Sequence, residues 1–338
     1  MYNINMKINS AEPMEEIQKA RPHLKTNTIK QYETHLNKLK KIFESDDWDF
    51  LSDPEKVAEK LADKAYTSRR NSYNAVIVLL MALNHDERYD ELISKYDKMR
   101  NELNSQYDTE MASGKISDKQ KANFAEYEEI EKMISDMENE IKSKGLKKKE
   151  TITGKEKELF MVWTIYNFLI RIPTRNDMSG QRLISKTMYN KLTEDDKKNN
   201  NYLVKSKNNM VGIYNEYKTS KKYGEKKIDI PKDLEKILNV YIKKAGIKNG
   251  DVLFTSSTGK ELSRNAISQL LMKTSKKYLN GKSVSTTIMR KVVASHHFGE
   301  GTEFAKLKEQ QEELAEKMGH SVDVMNKVYI KEKQEEAV

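Results

Sequence analysis

The chain has 338 residues, 37% of them hydrophobic and 33% charged, and this length is sufficient for two domains with separate cores. Its formal net charge of +9 is compatible with a polyanionic partner, and equally with simple solubility. The absence of cysteine excludes disulfides, thiolate metal sites and cysteine nucleophiles. Since no apolar run approaches the roughly 18 residues of a membrane span and no secretory signal opens the chain, we expect an intracellular protein without a membrane segment.

The first part of the chain, residues 1–98, has the apolar periodicity of a small helical bundle. Residues 1–20 are predicted to be loosely ordered. Hydroxyl and amide caps at Thr26–Thr28 begin a first helix, Ser52-Asp53-Pro54 begins a second, and Thr67 begins a third; residues 87–98 form a fourth, short one. Near the start of the third helix stand two arginines that either bind phosphates or are simply solvated, Arg69 and Arg70.

Residues 99–154 are mostly charged and are predicted to form a peripheral helix followed by a basic linker. Residues 126–142 have helical apolar spacing, and Ser143 to Lys149 is rich in lysine. The linker either crosses an anionic partner or is a solvated spacer.

Residues 155–338 are predicted to be an α+β domain, with helices around a small antiparallel sheet. Its strands are 201–206, 210–218 and 226–230, and a lysine-rich hairpin turn at Thr219–Gly224 joins the last two. The predicted helices span 155–170, 233–245, 263–278, 286–298 and 303–317.

Metal and nucleotide motifs are missing from this sequence: it has no His-Glu-x-x-His, no phosphate-binding loop and no dinucleotide fingerprint. We therefore predict no metal and no cofactor. Cationic residues at the ends of predicted elements are more informative. Arg175 follows a buried helix, and Lys218 begins the hairpin turn. Arg290 lies on the apolar side of its helix, where burial of an arginine charge costs free energy and therefore indicates a function.

Several short sequence motifs of this chain, and the order in which they occur, resemble those of the tyrosine recombinases. This is the integrase family that cuts and rejoins DNA through a tyrosine. The spacing from His320, in Gly-His-Ser, to Tyr329 matches the family pattern. The run that begins at Arg290, Arg-Lys-Val-Val-Ala-Ser-His, is similar to the family's Arg-Arg-Thr-Phe-Ala-Thr-His. Arg175 and Lys218 stand where the family keeps its first arginine and its catalytic lysine. The motifs Pro-Thr-Arg-Asn-Asp and Tyr-Lys-Thr look most like those of family members carried by large eukaryotic DNA viruses and their satellites.

The resemblance covers nearly the whole chain and implies a mainly α core-binding domain at 1–98 and a catalytic domain at 155–338 with the DNA breaking-rejoining fold. It implies that Tyr329 attacks a phosphodiester to give a 3′-phosphotyrosine and a free 5′-hydroxyl. Arg175 and Arg290 would bind the non-bridging oxygens, His320 would donate a further hydrogen bond, and Lys218 would protonate the leaving oxygen. The implied partners are duplex DNA and further copies of the chain, a tetramer on DNA or a dimer, in the nucleus, a cytoplasmic viral factory or the bacterial cytoplasm.

Some positions depart from the family or leave alternatives open. Thr287 stands where the family often has histidine, and a threonine can hydrogen-bond a phosphate but cannot act as a base. Lys221 or Lys222 could replace Lys218 as the acid, and Lys291 is a further candidate for DNA contact, with Arg69 and Arg70. Two alternative functions remain, a type IB topoisomerase that relaxes DNA and a relative that binds DNA without catalysis.

Overall fold

A computed structural model describes residues 7–8, 12–85, 87–112, 118–299, 301–319 and 321–326. The described residues are mostly helical and contain one four-stranded sheet, which confirms the predicted combination of helices with a small sheet. The chain separates into two compact units, residues 1–116 and 117–338. The three-part division at 98/99 and 154/155 stays a prediction about domains.

The first unit is a helical bundle around the helix α4, Tyr66–Leu83. Nine residues of α4 are buried, among them Tyr73, Val76 and Leu80, because apolar residues occupy most of its circumference. The prediction that residues 1–20 are loosely ordered was wrong for 13–20, where Pro13 lies in the first turn of a helix and Ile17 is buried. The helices of this unit are α1 Pro13–Ala20, α2 Thr26–Phe43, α3 Pro54–Lys60, α4 Tyr66–Leu83 and α5 Asp90–Ala112.

The second unit is built around α8, Gly154–Arg171. Thr153 caps this helix by accepting a hydrogen bond from the Glu156 amide, while the Glu156 carboxylate accepts one from the Thr153 amide. Every residue from Phe160 to Ile170 is buried, because helices pack against α8 from several sides. The other helices of the unit that are at least two turns long are α7 Tyr127–Ser143, α12 Lys232–Ala245, α13 Arg264–Tyr278, α14 Thr286–Phe298 and α15 Glu303–Lys317.

The sheet has the order β1-β2-β3-β4. The prediction of an antiparallel sheet was wrong in one pairing: β1 and β2 are parallel, whereas β2–β3 and β3–β4 are antiparallel. A parallel pair needs a crossover, and two short helices between β1 and β2 provide it. The strands are β1 Arg182–Ser185, β2 Tyr202–Lys205, β3 Met210–Tyr214 and β4 Lys226–Asp229, and the remaining short helices are α6 Asp118–Lys121, α9 Lys186–Tyr189, α10 Glu194–Asn199, α11 Ser220–Tyr223 and α16 Val322–Val324.

Two connections differ from the sequence-based expectation. The link between β3 and β4 contains α11, so the expected hairpin turn is a wider loop with one helical turn. The basic segment after α7 is held against its own unit, because Leu146 is buried and Lys149 pairs with Glu156 at 2.6 Å. Within the described residues no helix is long and apolar enough to cross a membrane.

Candidate functional site

Three of the five predicted catalytic residues lie at ends of elements in the second unit. Arg175 directly precedes a short 3-10 turn, Asn176–Met178, which follows α8. Lys218 lies in the turn between β3 and α11, and Arg290 lies on the second turn of α14. Arg175 and Lys218 are exposed, and Arg290 is half-buried. His320 and Tyr329 lie outside the described residues.

The carboxyl of Asp177 lies within electrostatic reach of several cations. Its Oδ1 atom is buried and accepts no hydrogen bond from any described residue, and Arg264 Nη2 is 3.7 Å away. Burial raises the pKa of Asp177, and the charges of Arg264, Arg175, Lys226 and Arg290 oppose that increase. All four cations therefore lie within electrostatic reach of one carboxyl, although they come from four separate segments of the chain.

Asn201 joins the segment after Arg175 to the segment before Lys218. Its side-chain amide nitrogen donates to the carbonyl oxygens of Asp177 at 2.8 Å and Glu216 at 3.0 Å. Its side-chain oxygen accepts from the amides of Asn215 at 2.8 Å and Glu216 at 2.9 Å. Asn201 is buried, and its side-chain nitrogen and oxygen both make their hydrogen bonds to these two loops.

Asn176 joins the same segment to the two helices that carry Arg264 and Arg290. Its amide nitrogen donates to the carbonyl oxygen of Arg264 at 2.7 Å, and its side-chain oxygen accepts from the Thr286 hydroxyl at 2.5 Å. Thr286 is the first residue of α14 and is buried. The start of α13, the start of α14 and the residue after Arg175 are therefore fixed relative to one another.

Arg264 is a residue of this cluster that the sequence analysis missed. Its Nη2 atom donates to the carbonyl oxygen of Glu216 at 2.9 Å, and its side chain is 45% exposed, so part of the guanidinium still faces solvent. The available signal was Ser263, the residue that caps α13, since Arg264 must then occupy the first position of that helix. Nothing local distinguishes it from an ordinary solvated arginine.

The lysines between β3 and β4 lie on an exposed loop, which is held together by hydrogen bonds within the loop. The Tyr217 hydroxyl donates to the Gly224 carbonyl at 2.8 Å, which closes the loop around α11. Lys218, Lys221 and Lys222 are all exposed, and Lys222 Nζ lies 5.1 Å from the centre of the Tyr223 ring. All three side chains can reach a ligand at the surface of the loop, so each stays a candidate for the general acid.

The two supporting candidates on α14 face different surroundings. Thr287 is exposed at the second position of the helix, where its hydroxyl is available to a ligand. Lys291 is half-buried and donates to Gln120 Oε1 at 2.5 Å, so it helps to hold Gln120 against α14. A role for Lys291 in DNA contact requires that this bond be exchanged.

Arg69 and Arg70 lie in the first unit and are both half-buried on α4. The Arg69 Nε atom is buried with no hydrogen-bond partner among the described residues. The Arg70 guanidinium lies 4.6 Å from the centre of the Tyr107 ring, a cation–π contact. Their role in DNA contact stays a prediction.

The chemistry open to the second-unit cluster is anion binding. Arginine side chains that come from separate segments can together bind the non-bridging oxygens of a phosphodiester and stabilise the charge of its transition state. Among the described residues, no group of three or more histidine, aspartate or glutamate side chains could hold a metal ion. Comparison with known proteins finds no family model and no curated protein that matches this chain.

Proposed function

We propose that this protein is a DNA strand transferase of the tyrosine-recombinase type. The observation that carries the proposal is that Arg175 and Arg290 both lie within electrostatic reach of Asp177, on segments that the hydrogen bonds of Asn176 join to each other. The resemblance in sequence implies phosphate binding for both arginines, and a shared electrostatic neighbour is compatible with that role. A cluster of cations on a chain of net charge +9 suits a DNA phosphate.

In the proposed reaction the Tyr329 hydroxyl attacks a phosphodiester phosphorus, and the bond from phosphorus to the 5′-oxygen breaks. The Tyr329 hydroxyl loses its proton to solvent water as the new bond forms. The products are a 3′-phosphotyrosine and a 5′-hydroxyl that takes its proton from Lys218 or from one of its neighbours Lys221 and Lys222. Attack by the 5′-hydroxyl of a second strand reverses the step and releases Tyr329, so no external energy source is consumed. Arg175 and Arg290 stabilise the charge that develops on the non-bridging oxygens.

Asp177 has a structural part in this proposal. Its carboxyl attracts Arg264, Arg175 and Arg290 and so offsets part of their mutual repulsion while no DNA is bound. Duplex DNA and further copies of the chain, as a tetramer or a dimer on that DNA, are the proposed partners. The DNA breaking-rejoining fold of residues 155–338 is part of the same proposal.

The test is the covalent intermediate itself. The full chain is incubated with a library of nicked duplexes of random sequence, in which the leaving fragment is short enough to diffuse away and trap the adduct. Denaturing electrophoresis is expected to show a protein–DNA adduct that Tyr329→Phe abolishes. The matched control is Tyr189→Phe, which also removes one tyrosine hydroxyl from the second unit and is expected to keep the adduct.

The outcomes separate the alternatives. Adduct with strand-joined products supports recombination, whereas adduct with relaxation of a supercoiled plasmid and no joined products favours a type IB topoisomerase. Wild-type protein that binds duplex DNA but forms no adduct on any member of the library would leave only a DNA-binding relative.

A further inference from the structure

A second cluster of positive charge lies at the other end of the sheet. Ser185, the last residue of β1, and Lys205, the last residue of β2, are paired in register, and the turn that starts at Ser206 leads back into β3. These chain ends and α9 surround an open cleft of about 630 Å³. We call it the lysine cleft, after the four lysines that line it, Lys186, Lys191, Lys205 and Lys207.

The lining of the lysine cleft is positive, and the nearby carboxylate of Glu235, which feels the charge of Lys205, accepts hydrogen bonds from the Met210 amide and from Lys232. No carboxylate lines it, and none of its four lysines forms an ion pair with a described residue. Lys205 Nζ donates to the neutral side-chain oxygen of Asn239 at 2.6 Å. Elsewhere in the unit, lysines such as Lys149 and Lys282 lie within 2.7 Å of a glutamate. Unpaired like charges around one cleft repel one another, and an anionic ligand removes that repulsion.

The cleft is separate from the candidate functional site. Met210 lies at the cleft end of β3, and Tyr214, which leads into the loop of Lys218, lies at the other end. A strand rises about 3.4 Å per residue, so the two ends of β3 are roughly 14 Å apart. A ligand of the lysine cleft therefore makes contacts additional to those at Asp177.

We infer that the lysine cleft binds the phosphodiester backbone of DNA at a point remote from the reacting phosphate. The choice of DNA rests on the proposed function, whereas the preference for a phosphate backbone rests on the cleft itself. All four lysines are exposed, and their ammonium groups are point charges on flexible stems. They can follow a repeating backbone, while a small phosphate ligand is normally bound by buried, converging donors or arginine forks. The hydroxyl of Ser185 accepts from the Met188 amide and can still donate, and such neutral donors are common at phosphate contacts.

The experiment compares two triple variants of the full chain that lose the same charge. The cleft variant is Lys186→Gln, Lys191→Gln and Lys207→Gln. The control variant is Lys132→Gln, Lys142→Gln and Lys273→Gln, whose lysines are ion-paired with Asp136, Glu138 and Glu158. Fluorescence anisotropy measures the affinity of each protein for a labelled duplex over a series of KCl concentrations. Thermal melting by circular dichroism checks that both variants are folded.

We expect the cleft variant to bind duplex DNA at least tenfold more weakly than the wild type at low salt. The slope of the log association constant against log salt is expected to become less steep by about three, which is about one for each phosphate contact that is lost. The control variant is expected to change the slope by less than one. Equal losses in both variants would overturn the inference, because total charge would then explain the effect. Loss of affinity for inorganic tripolyphosphate without loss for the duplex would also overturn it, in favour of a small-ligand site.

Adduct formation distinguishes this inference from the proposed function. At saturating protein the cleft variant is expected to form the Tyr329 adduct as the wild type does, because the reacting phosphate lies elsewhere. If the wild type forms no adduct but the cleft variant still loses its salt slope, the proposed function fails and the backbone contact stands.

Discussion

The Thr286 hydroxyl lies 2.5 Å from the side-chain oxygen of Asn176 and donates a hydrogen bond to it. Thr286 begins the helix that carries Arg290, and Asn176 is the residue after Arg175. This bond fixes the positions of two helix-end segments that lie far apart in the sequence. The geometry of the two arginines therefore depends on neutral side chains as much as on the arginines themselves.

A double-mutant cycle on this bond is expected to give a coupling free energy. Thr286→Val removes the hydroxyl at nearly constant volume, and Asn176→Ala removes its acceptor. Because the bond is neutral and partly buried, we expect a coupling of about 0.5–1.5 kcal/mol in urea unfolding. Thr287→Val, at the exposed neighbouring position, is expected to change stability by less than about 0.5 kcal/mol. Strictly additive losses in the cycle would contradict the bond.

Removing the Asn201 side chain is expected to be among the more damaging single substitutions. Asn201→Ala removes the hydrogen bonds that the Asn201 side chain makes to the Asp177 carbonyl and to the amides of Asn215 and Glu216, and it leaves the Glu216 carbonyl with the bond from Arg264. The expected loss in the free energy of unfolding is about 2–4 kcal/mol, measured in urea. Asn201→Asp keeps the two accepted bonds and loses the two donated ones. It should still destabilise the protein, and an Asp variant as stable as the wild type would show that the donated bonds contribute nothing.

Asp177→Asn is expected to raise the stability of the free protein at neutral pH. Burial raises the pKa of this carboxyl, so its ionised form is disfavoured in the folded state. The resulting penalty is complete above the raised pKa and disappears as the pH falls toward the carboxyl's ordinary pKa of about 3.9. The melting temperature of the variant should therefore exceed that of the wild type at pH 7 and converge with it near pH 3.5. A variant that melts lower at pH 7 would mean that attraction to the arginines outweighs burial.

Glu140 is expected to contribute stability that is lost in acid. Hydrogen bonds from Lys144, from the Tyr278 hydroxyl and from Lys277 lower the pKa of Glu140 to about 2. The contribution is complete above the ordinary glutamate pKa of about 4.3 and is lost as the pH falls from there toward 2. Melting temperatures of Glu140→Gln should accordingly fall less than those of the wild type over this range. Glu158→Gln, which loses a 3.7 Å pair with Lys273, serves as the control and should follow the wild type.

Arg290→Lys is expected to lower the rate of adduct formation by about 10²–10³-fold while leaving the protein folded. Lysine keeps the charge but cannot form the two parallel hydrogen bonds of a guanidinium, and the loss of such a donor in the transition state has this magnitude. Rates are measured on the trapped duplex at saturating protein. Arg182→Lys on β1 is the matched control and should react at the wild-type rate. Wild-type rates for Arg290→Lys would remove Arg290 from the proposed chemistry.

The long helices of the second unit could be predicted from the sequence with good accuracy, whereas in the first unit the short helix expected at 87–98 is α5, Asp90–Ala112, and α1 was not expected. The predicted bounds of α14 and α15, 286–298 and 303–317, are those of the structure. Hydroxyl caps at Ser285 and Thr302 and an apolar period near 3.6 lie within each segment, so the information is local. β1 was missed because four residues carry almost no periodic signal, and its parallel partner lies beyond two short helices.

The candidate site divides in the same way. Residue type and order led to Arg175, Lys218 and Arg290, and His320 and Tyr329 stay predictions from that order, outside the described residues. Asp177, Arg264 and Asn201 carry no such signal, since a buried carboxyl or a bonded asparagine is recognised only by its neighbours. By itself, then, the sequence determined most of the long helices, the excess of positive charge and the order of the candidate residues, because each can be read along the chain without knowledge of its packing. Only the tertiary structure decided that Arg264 and Arg290, each roughly a hundred positions after Asp177, lie within electrostatic reach of its carboxyl, because that proximity depends on the packing around α8.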